Sequence, residues 1–227
     1  MPTDKPLKVI YNKLLSHFGE QHWWPARTSF EVIIGAILTQ NTNWLNVEKA
    51  INNLKTAVNP ADRDKSAGLL TPEKLYRCKL SDLAVLIKPA GYFNIKAGRL
   101  KNFMDWFFEN YDGDLERLFN KNVSLLREEL LSVRGIGPET ADSIVLYAAK
   151  KPTFVCDAYT YRIMFRHRLI PEETTYDELK AFFEESLQSD VKLFNEYHAL
   201  LVRLGKTYCK KTKPQCTICP LGDLPHD

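Results

Sequence analysis

Apolar residues recur along this chain at intervals of three and four rather than two, a pattern that predicts a molecule built from helices. Over residues 7–18, Val9, Ile10, Leu14 and Leu15 form one apolar side, and Gly19 marks the stop. Ser29 is placed to cap the next helix. Its run Phe30, Val32, Ile33, Ile34, Ala36, Ile37 and Leu38 is apolar nearly all round, so that helix is expected to be buried. Further helices are predicted over 47–55, 72–77, 80–87, 95–111, 124–131, 141–148, 157–168, 176–187 and 194–204. Residues 59–71 read as a polar connection, and only Pro152 to Cys156 suggests extended chain.

Two of these helices meet at a very short turn, Val133-Arg134-Gly135-Ile136-Gly137-Pro138-Glu139-Thr140-Ala141. Glycine tolerates positive φ and lets a ligand approach the backbone, while Pro138 suits the first turn of a helix whose free N–H groups favour an anion. The turn therefore fits both an ordinary αα-hairpin and a grip on a DNA phosphate.

Other segments carry the same ambiguity between structure and chemistry. His22-Trp23-Trp24-Pro25 places two large aromatics in a loop, where they serve as packing anchors or as a surface on which a base stacks. Thr39-Gln40-Asn41-Thr42-Asn43-Trp44 is a polar cluster directly after a buried helix, suited to a cap and turn or to hydrogen bonds with base edges. Asp157, in Val155-Cys156-Asp157-Ala158, stands where it would cap a helix, and such a carboxylate can also face a ligand. Arg162, Arg166, His167 and Arg168 form a basic patch of the kind that is usually a solvated face.

Composition adds limits. With 227 residues, 44% hydrophobic and 26% charged, the chain is long enough for one large or two small globular domains. It has no apolar run of membrane-spanning length, and Met1-Pro2-Thr3-Asp4-Lys5 is not a signal peptide. It is thus expected to be cytoplasmic, nucleoid-associated when bound to DNA, without membrane contact, and monomeric. A net charge of +3 permits nucleic-acid binding without requiring it. Of five cysteines, Cys209, Cys216 and Cys219 crowd into the tail, which fits a local zinc or iron–sulfur site better than a disulfide framework. Three ligands are one short of a closed site, and His226, Cys78 and Cys156 are the candidates for the fourth.

Taken together these motifs resemble the helix-hairpin-helix DNA glycosylases of the endonuclease III superfamily over nearly the whole chain. The likeness rests on Leu38-Thr39-Gln40-Asn41-Thr42, on Gly91-Tyr92-Phe93-Asn94 with Lys96-Ala97, on the hairpin, on Val-Cys-Asp at Asp157, and on the cysteine tail. It implies an all-α fold of two helical domains with a DNA-binding cleft between them. Residues 1–28 and 150–227 would form the terminal-helix domain with its cysteine loop, and residues 29–149 a six-helix domain ending in the hairpin. Gly135, Gly137 and Thr140 would then anchor DNA, and Gln40 and Tyr92 would fill or wedge the gap left by a flipped nucleotide.

In that family a lysine after the hairpin glycines marks the members that also cut the strand through a Schiff base, and here that position is Glu139. Asp157 would be the catalytic carboxylate. Within the superfamily, Trp23-Trp24-Pro25, Gln40-Asn41-Thr42 with Trp44, and Asp157-Ala158-Tyr159-Thr160-Tyr161 look most like the type III 3-methyladenine DNA glycosylases. The resemblance thus implies a monofunctional glycosylase that flips an N-alkylated purine out of double-stranded DNA into a pocket of Trp23, Trp24, Pro25, Trp44 and Glu139, with Trp24 and Trp44 as stacking surfaces. Glycosylases for a mismatched, deaminated or oxidised pyrimidine, and a non-catalytic lesion-sensing protein, are the alternatives. The tail favours a [4Fe–4S] cluster with a non-standard fourth ligand, because the endonuclease III tail has its fourth cysteine where this chain has Pro225.

Overall fold

A computed structural model of the chain describes residues 4–58 and 68–226. The start of the chain through Thr3 and most of the expected polar connection, residues 59–67, lie outside the described residues. Two compact units emerge, one from the chain up to Pro25 together with the chain from Lys150 onward, the other from Ala26–Ala149. The described residues form helices joined by loops and contain no strand; Pro152 to Cys156 belongs to neither a helix nor a strand.

The discontinuous unit begins with α1 (Asp4–Phe18), which buries Leu7, Ile10 and Leu14. The inserted unit follows with α2 (Ser29–Leu38), α3 (Trp44–Val58), α4 (Pro72–Tyr76), α5 (Leu80–Leu86), α6 (Phe93–Tyr111), α7 (Leu115–Phe119), α8 (Val123–Ser132) and α9 (Pro138–Ser143). A π-helical segment, Ile144–Ala148, prolongs α9. α10 (Ala158–Arg166), α11 (Tyr176–Ser186) and α12 (Val191–Thr207) return the chain to the first unit.

α2 is the core of the inserted unit, and every residue from Phe30 to Leu38 is buried. Its cap is Thr28 rather than Ser29, because the Thr28 hydroxyl accepts from the Glu31 amide at 3.1 Å while Ser29 donates to the carbonyl of Ala148. Glu31, a carboxylate within that apolar run, is paired with Lys55 of α3 at 2.8 Å, as a buried charge requires. α7 has no counterpart among the expected helices. It is a single short helix started by Asp114, which accepts from the amides of Glu116 and Arg117, and five residues are too few to show a period.

In the discontinuous unit α12 is the central helix, with Phe194, Tyr197, Leu200, Leu201 and Leu204 buried. Phe154 stacks on Phe183 of α11 with ring centroids 3.9 Å apart and meets Phe194 edge-on, so the stretch before Asp157 is pinned by aromatic packing. That packing sets where α10 begins.

Candidate functional site

In the inserted unit the turn between α8 and α9 is fixed from below. Val133 and Ile136 are buried and bridged by a 3.0 Å backbone hydrogen bond. Gly135 has φ +100°, and a Cβ there would lie 2.4 Å from Cγ of Arg99, so this position requires glycine twice over. Gly137 differs: its φ is −97°, and a Cβ would meet nothing within 4 Å. Its open face is where a ligand can reach the backbone.

Gln40, immediately beyond α2, is committed to this turn. Its amide donates to the carbonyl of Gly135 at 3.0 Å and to the hydroxyl of Thr140 at 2.9 Å, and its carbonyl accepts from Arg99. Asn102, one turn along α6 from Arg99, donates to the carbonyl of Arg134 at 3.0 Å. The Thr140 side chain is buried beneath Gln40, so both residues expected at a DNA surface have side chains engaged inside the protein.

Lys96 ties a second pair of segments together. It is only 1% exposed, and its ammonium donates to the carbonyls of Leu38 at 2.9 Å and Ala90 at 2.7 Å, which closes the end of α2 against the approach to Tyr92. Burial, with the Arg99 charge beside it, lowers its pKa to about 8. Tyr92 caps α6 in a left-handed conformation and is 64% exposed; Ile95 is exposed beside it in sequence. Trp44 opens α3 half-buried, and Glu139 is exposed in the first turn of α9.

In the discontinuous unit Asp157 caps α10. One carboxylate oxygen accepts from the amide and the hydroxyl of Thr160 at 2.8 and 3.0 Å, and the other lies 3.7 Å from Nε2 of His198 on α12. The side chain is 13% exposed. Burial pushes its pKa up, but the His198 imidazole and the two bonds from Thr160 outweigh it and hold the carboxyl below the usual range. Lys206, also on α12, senses the Asp157 charge and lies 5.9 Å from the ring centroid of Trp23. Its surface is exposed, yet it is surrounded enough that burial lowers its ammonium pKa, with Asp157 opposing. Trp23 and Trp24 are half-buried with ring centroids 5.5 Å apart, and Pro25 is exposed.

The basic patch on α10 is not a solvated face. Arg162 donates to the carbonyls of Cys209 and Gly205 at 2.8 and 3.3 Å. Arg166 donates to Sγ of Cys209 at 3.3 Å and to the carbonyls of Lys210 and Lys211. The two arginines thereby moor the cysteine loop to the helix that Asp157 begins. Cys209, Cys216 and Cys219 line one pocket, and Gly222 packs so tightly that a Cβ would be 2.4 Å from the carbonyl of Cys216. Burial raises the Cys219 thiol against a backbone hydrogen bond from Leu221, and the nearness of Cys209 and Cys216 works in the same direction as burial. Three soft donors, with a guanidinium directed at one of them, fit an iron–sulfur cluster. Among the described residues, no three His, Cys, Asp or Glu side chains converge as they would on a single metal ion.

His198, Lys206 and Arg99 were not singled out by the sequence reading. The signal for His198 was its place in the otherwise apolar run Tyr197 to Leu201, where a titratable side chain needs a partner.

Residues 34–189 match the model of the HhH-GPD superfamily base excision DNA repair protein. A proposed DNA repair glycosylase, MJ1434 of Methanocaldococcus jannaschii, is 47% identical over 217 residues, which span 95% of this chain and 93% of that one. The 3-methyladenine DNA glycosylase of H. pylori bound to 1,N6-ethenoadenine superposes with a TM-score of 0.72 at 29% identity, covering 91% of this chain and 98% of that one. An endonuclease III–DNA complex has a TM-score of 0.79 at 21% identity over 99% of this chain and 96% of that one, a likeness of fold.

Proposed function

Because the chain belongs to the HhH-GPD superfamily of base excision DNA repair proteins, we propose that it is a monofunctional DNA glycosylase. In this reading it removes an N-alkylated purine of the 3-methyladenine type from double-stranded DNA and leaves an abasic site. The observation that carries it is the state of Asp157, a nearly enclosed carboxylate kept ionised by His198 and Thr160.

A carboxyl with a depressed pKa is a poor proton acceptor but a good fixed negative charge. Asp157 therefore acts chiefly by stabilising the positive charge that develops on the deoxyribose as the bond to the base breaks. An N-alkylated purine is already cationic, so it departs as a neutral base without a general acid. Water adds its oxygen to the sugar carbon and releases a proton to solvent. Glu139, in place of an amine, cannot form the imine that would lead to strand cleavage. DNA would be held at the open backbone of Gly137 and by the turn that Gln40 and Thr140 keep in shape, with Tyr92 as the wedge; the base-contacting residues proposed are Trp44 and Glu139 in the inserted unit and Trp23, Trp24 and Pro25 in the discontinuous one. The 3-methyladenine relative supports the lesion class.

Cys209, Cys216 and Cys219 would hold a [4Fe–4S] cluster. When bound, it supplies a redox centre and a rigid link between α12 and the C-terminal loop, and the hydrolysis does not pass through it.

One observation favours a bifunctional reading: Lys206 is an amine of lowered pKa that senses Asp157 and lies near Trp23. Product analysis separates the two. The monofunctional reading expects an abasic strand that stays intact at neutral pH and breaks only under alkali, with no covalent adduct trapped by borohydride. An adduct that disappears in Lys206→Ala would replace it.

A further inference from the structure

We propose that His226 supplies the fourth ligand of the iron–sulfur site, which would make it a Cys3His cluster. The inference rests on the reading that Cys209, Cys216 and Cys219 hold a [4Fe–4S] cluster. Of the candidates left open by the sequence, His226 lines the same pocket as the three cysteines. Cys156 does not: it is buried beside α11, where its amide faces the hydroxyl of Tyr176. Cys78 belongs to the inserted unit, where its thiol turns to the carbonyl of Lys74.

The hydrogen bonding of His226 prepares it for a metal. Its Nδ1 lies 2.7 Å from the carbonyl of Leu224, an acceptor, so Nδ1 is the donor there and Nε2 is the nitrogen left to face a metal. A backbone carbonyl behind the ring is the usual arrangement that fixes the tautomer and orientation of a metal-bound imidazole. His167 is the second imidazole on the pocket wall, with ring centroids 5.7 Å apart. Its Nδ1 bonds the carbonyl of Pro225 at 3.0 Å, which holds the chain one residue before His226. Its ring is also shared with a neighbouring apolar groove formed with Pro6, Val9 and Leu169. His167 makes the same kind of bond, and what sets it apart is that it also lines that groove and holds Pro225 in place, so it serves as the support and His226 as the ligand.

Three thiols and an imidazole on one pocket wall are a soft donor set suited to iron–sulfur chemistry. An imidazole in place of a fourth thiolate removes one negative charge and raises the reduction potential, and the Arg166 hydrogen bond to Cys209 acts in the same direction.

The test uses the full chain purified without oxygen. Iron and acid-labile sulfide should each be about four per chain, and the reduced cluster should show a hyperfine coupling to nitrogen that changes when histidine is labelled with 15N. That coupling should vanish in His226→Ala and persist in His167→Ala. His226→Cys should keep the cluster, lose the coupling and lower the potential. Iron and sulfide present in the wild type without a histidine coupling, or a coupling that survives in His226→Ala, would overturn the assignment of His226 alone. Zinc, or no metal, would overturn the cluster itself, and neither result bears on base release, which is assayed separately.

Discussion

Asp157 caps a helix and is also the carboxylate on which the proposed base release depends. Thr160 is bonded by the cap, and the oxygen not used on the Thr160 amide and hydroxyl is the one beside His198. Its folded pKa lies below the unfolded value of about 3.9, so the stability it contributes is present above that value and is lost as pH falls through the folded pKa. Base release should therefore show no acid limb from Asp157 between about pH 5 and 8. In His198→Ala the limb should move to higher pH, and in Asp157→Asn the single-turnover rate should fall by on the order of 10²–10⁴. A limb that stays in place in His198→Ala would remove His198 from the account. Lys96 is shifted in the same direction, in a higher pH window, but there it is the neutral form that the fold favours. Its folded pKa of about 8 is below the ordinary lysine value, so the unfolded chain holds a proton that the fold gives up, and stability rises with pH above about 8. Thermal unfolding followed from pH 7.5 to 10 should show this slope in the wild type and a shallower one in Lys96→Met.

At the level of the element, the hairpin assigns different work to its two glycines. Gly135 has positive φ and no room beside Arg99, so Gly135→Ala should destabilise the protein by about 2 kcal/mol. Gly137 has neither constraint, and Gly137→Ala should change stability by less than about 0.5 kcal/mol. If its open backbone meets a phosphate, the same substitution should weaken binding to undamaged and damaged duplex alike, by roughly tenfold, or about 1.4 kcal/mol. Paired denaturation and DNA titration of the two variants check this. A Gly137→Ala protein with full affinity would leave the hairpin a plain turn. The sequence showed that two glycines stood between two helices, but not that only one is needed for the fold, because that depends on where Arg99 of α6 lies. The capping residue was misjudged by one position for a similar reason: Thr28 and Ser29 are chemically alike, and only the hydrogen bonds distinguish them.

At the level of the molecule, the helices were legible because most are long enough to show their period and begin at Thr, Asp or Asn caps. What was not legible is the pairing of residues far apart in sequence. Nothing at Arg162 or Arg166 indicates that their partners are carbonyls at Gly205 to Lys211, so a charge pattern alone made them a surface patch. His198 could be suspected for standing in an apolar run, but not assigned to Asp157. The role proposed for Glu139 draws only on the residue type after the glycines, and product analysis decides it. Hydrolytic release of an N-alkylated purine is the reaction proposed for the molecule. Its most direct test is single-turnover base release from duplexes carrying 3-methyladenine-type, ethenoadenine, uracil, mismatched thymine or oxidised lesions, with wild type and Asp157→Asn side by side. The account predicts release of the alkylated purines by the wild type, intact strands at neutral pH, and a loss of on the order of 10²-fold or more in Asp157→Asn. Release confined to a pyrimidine lesion, or undiminished release by Asp157→Asn, would contradict it.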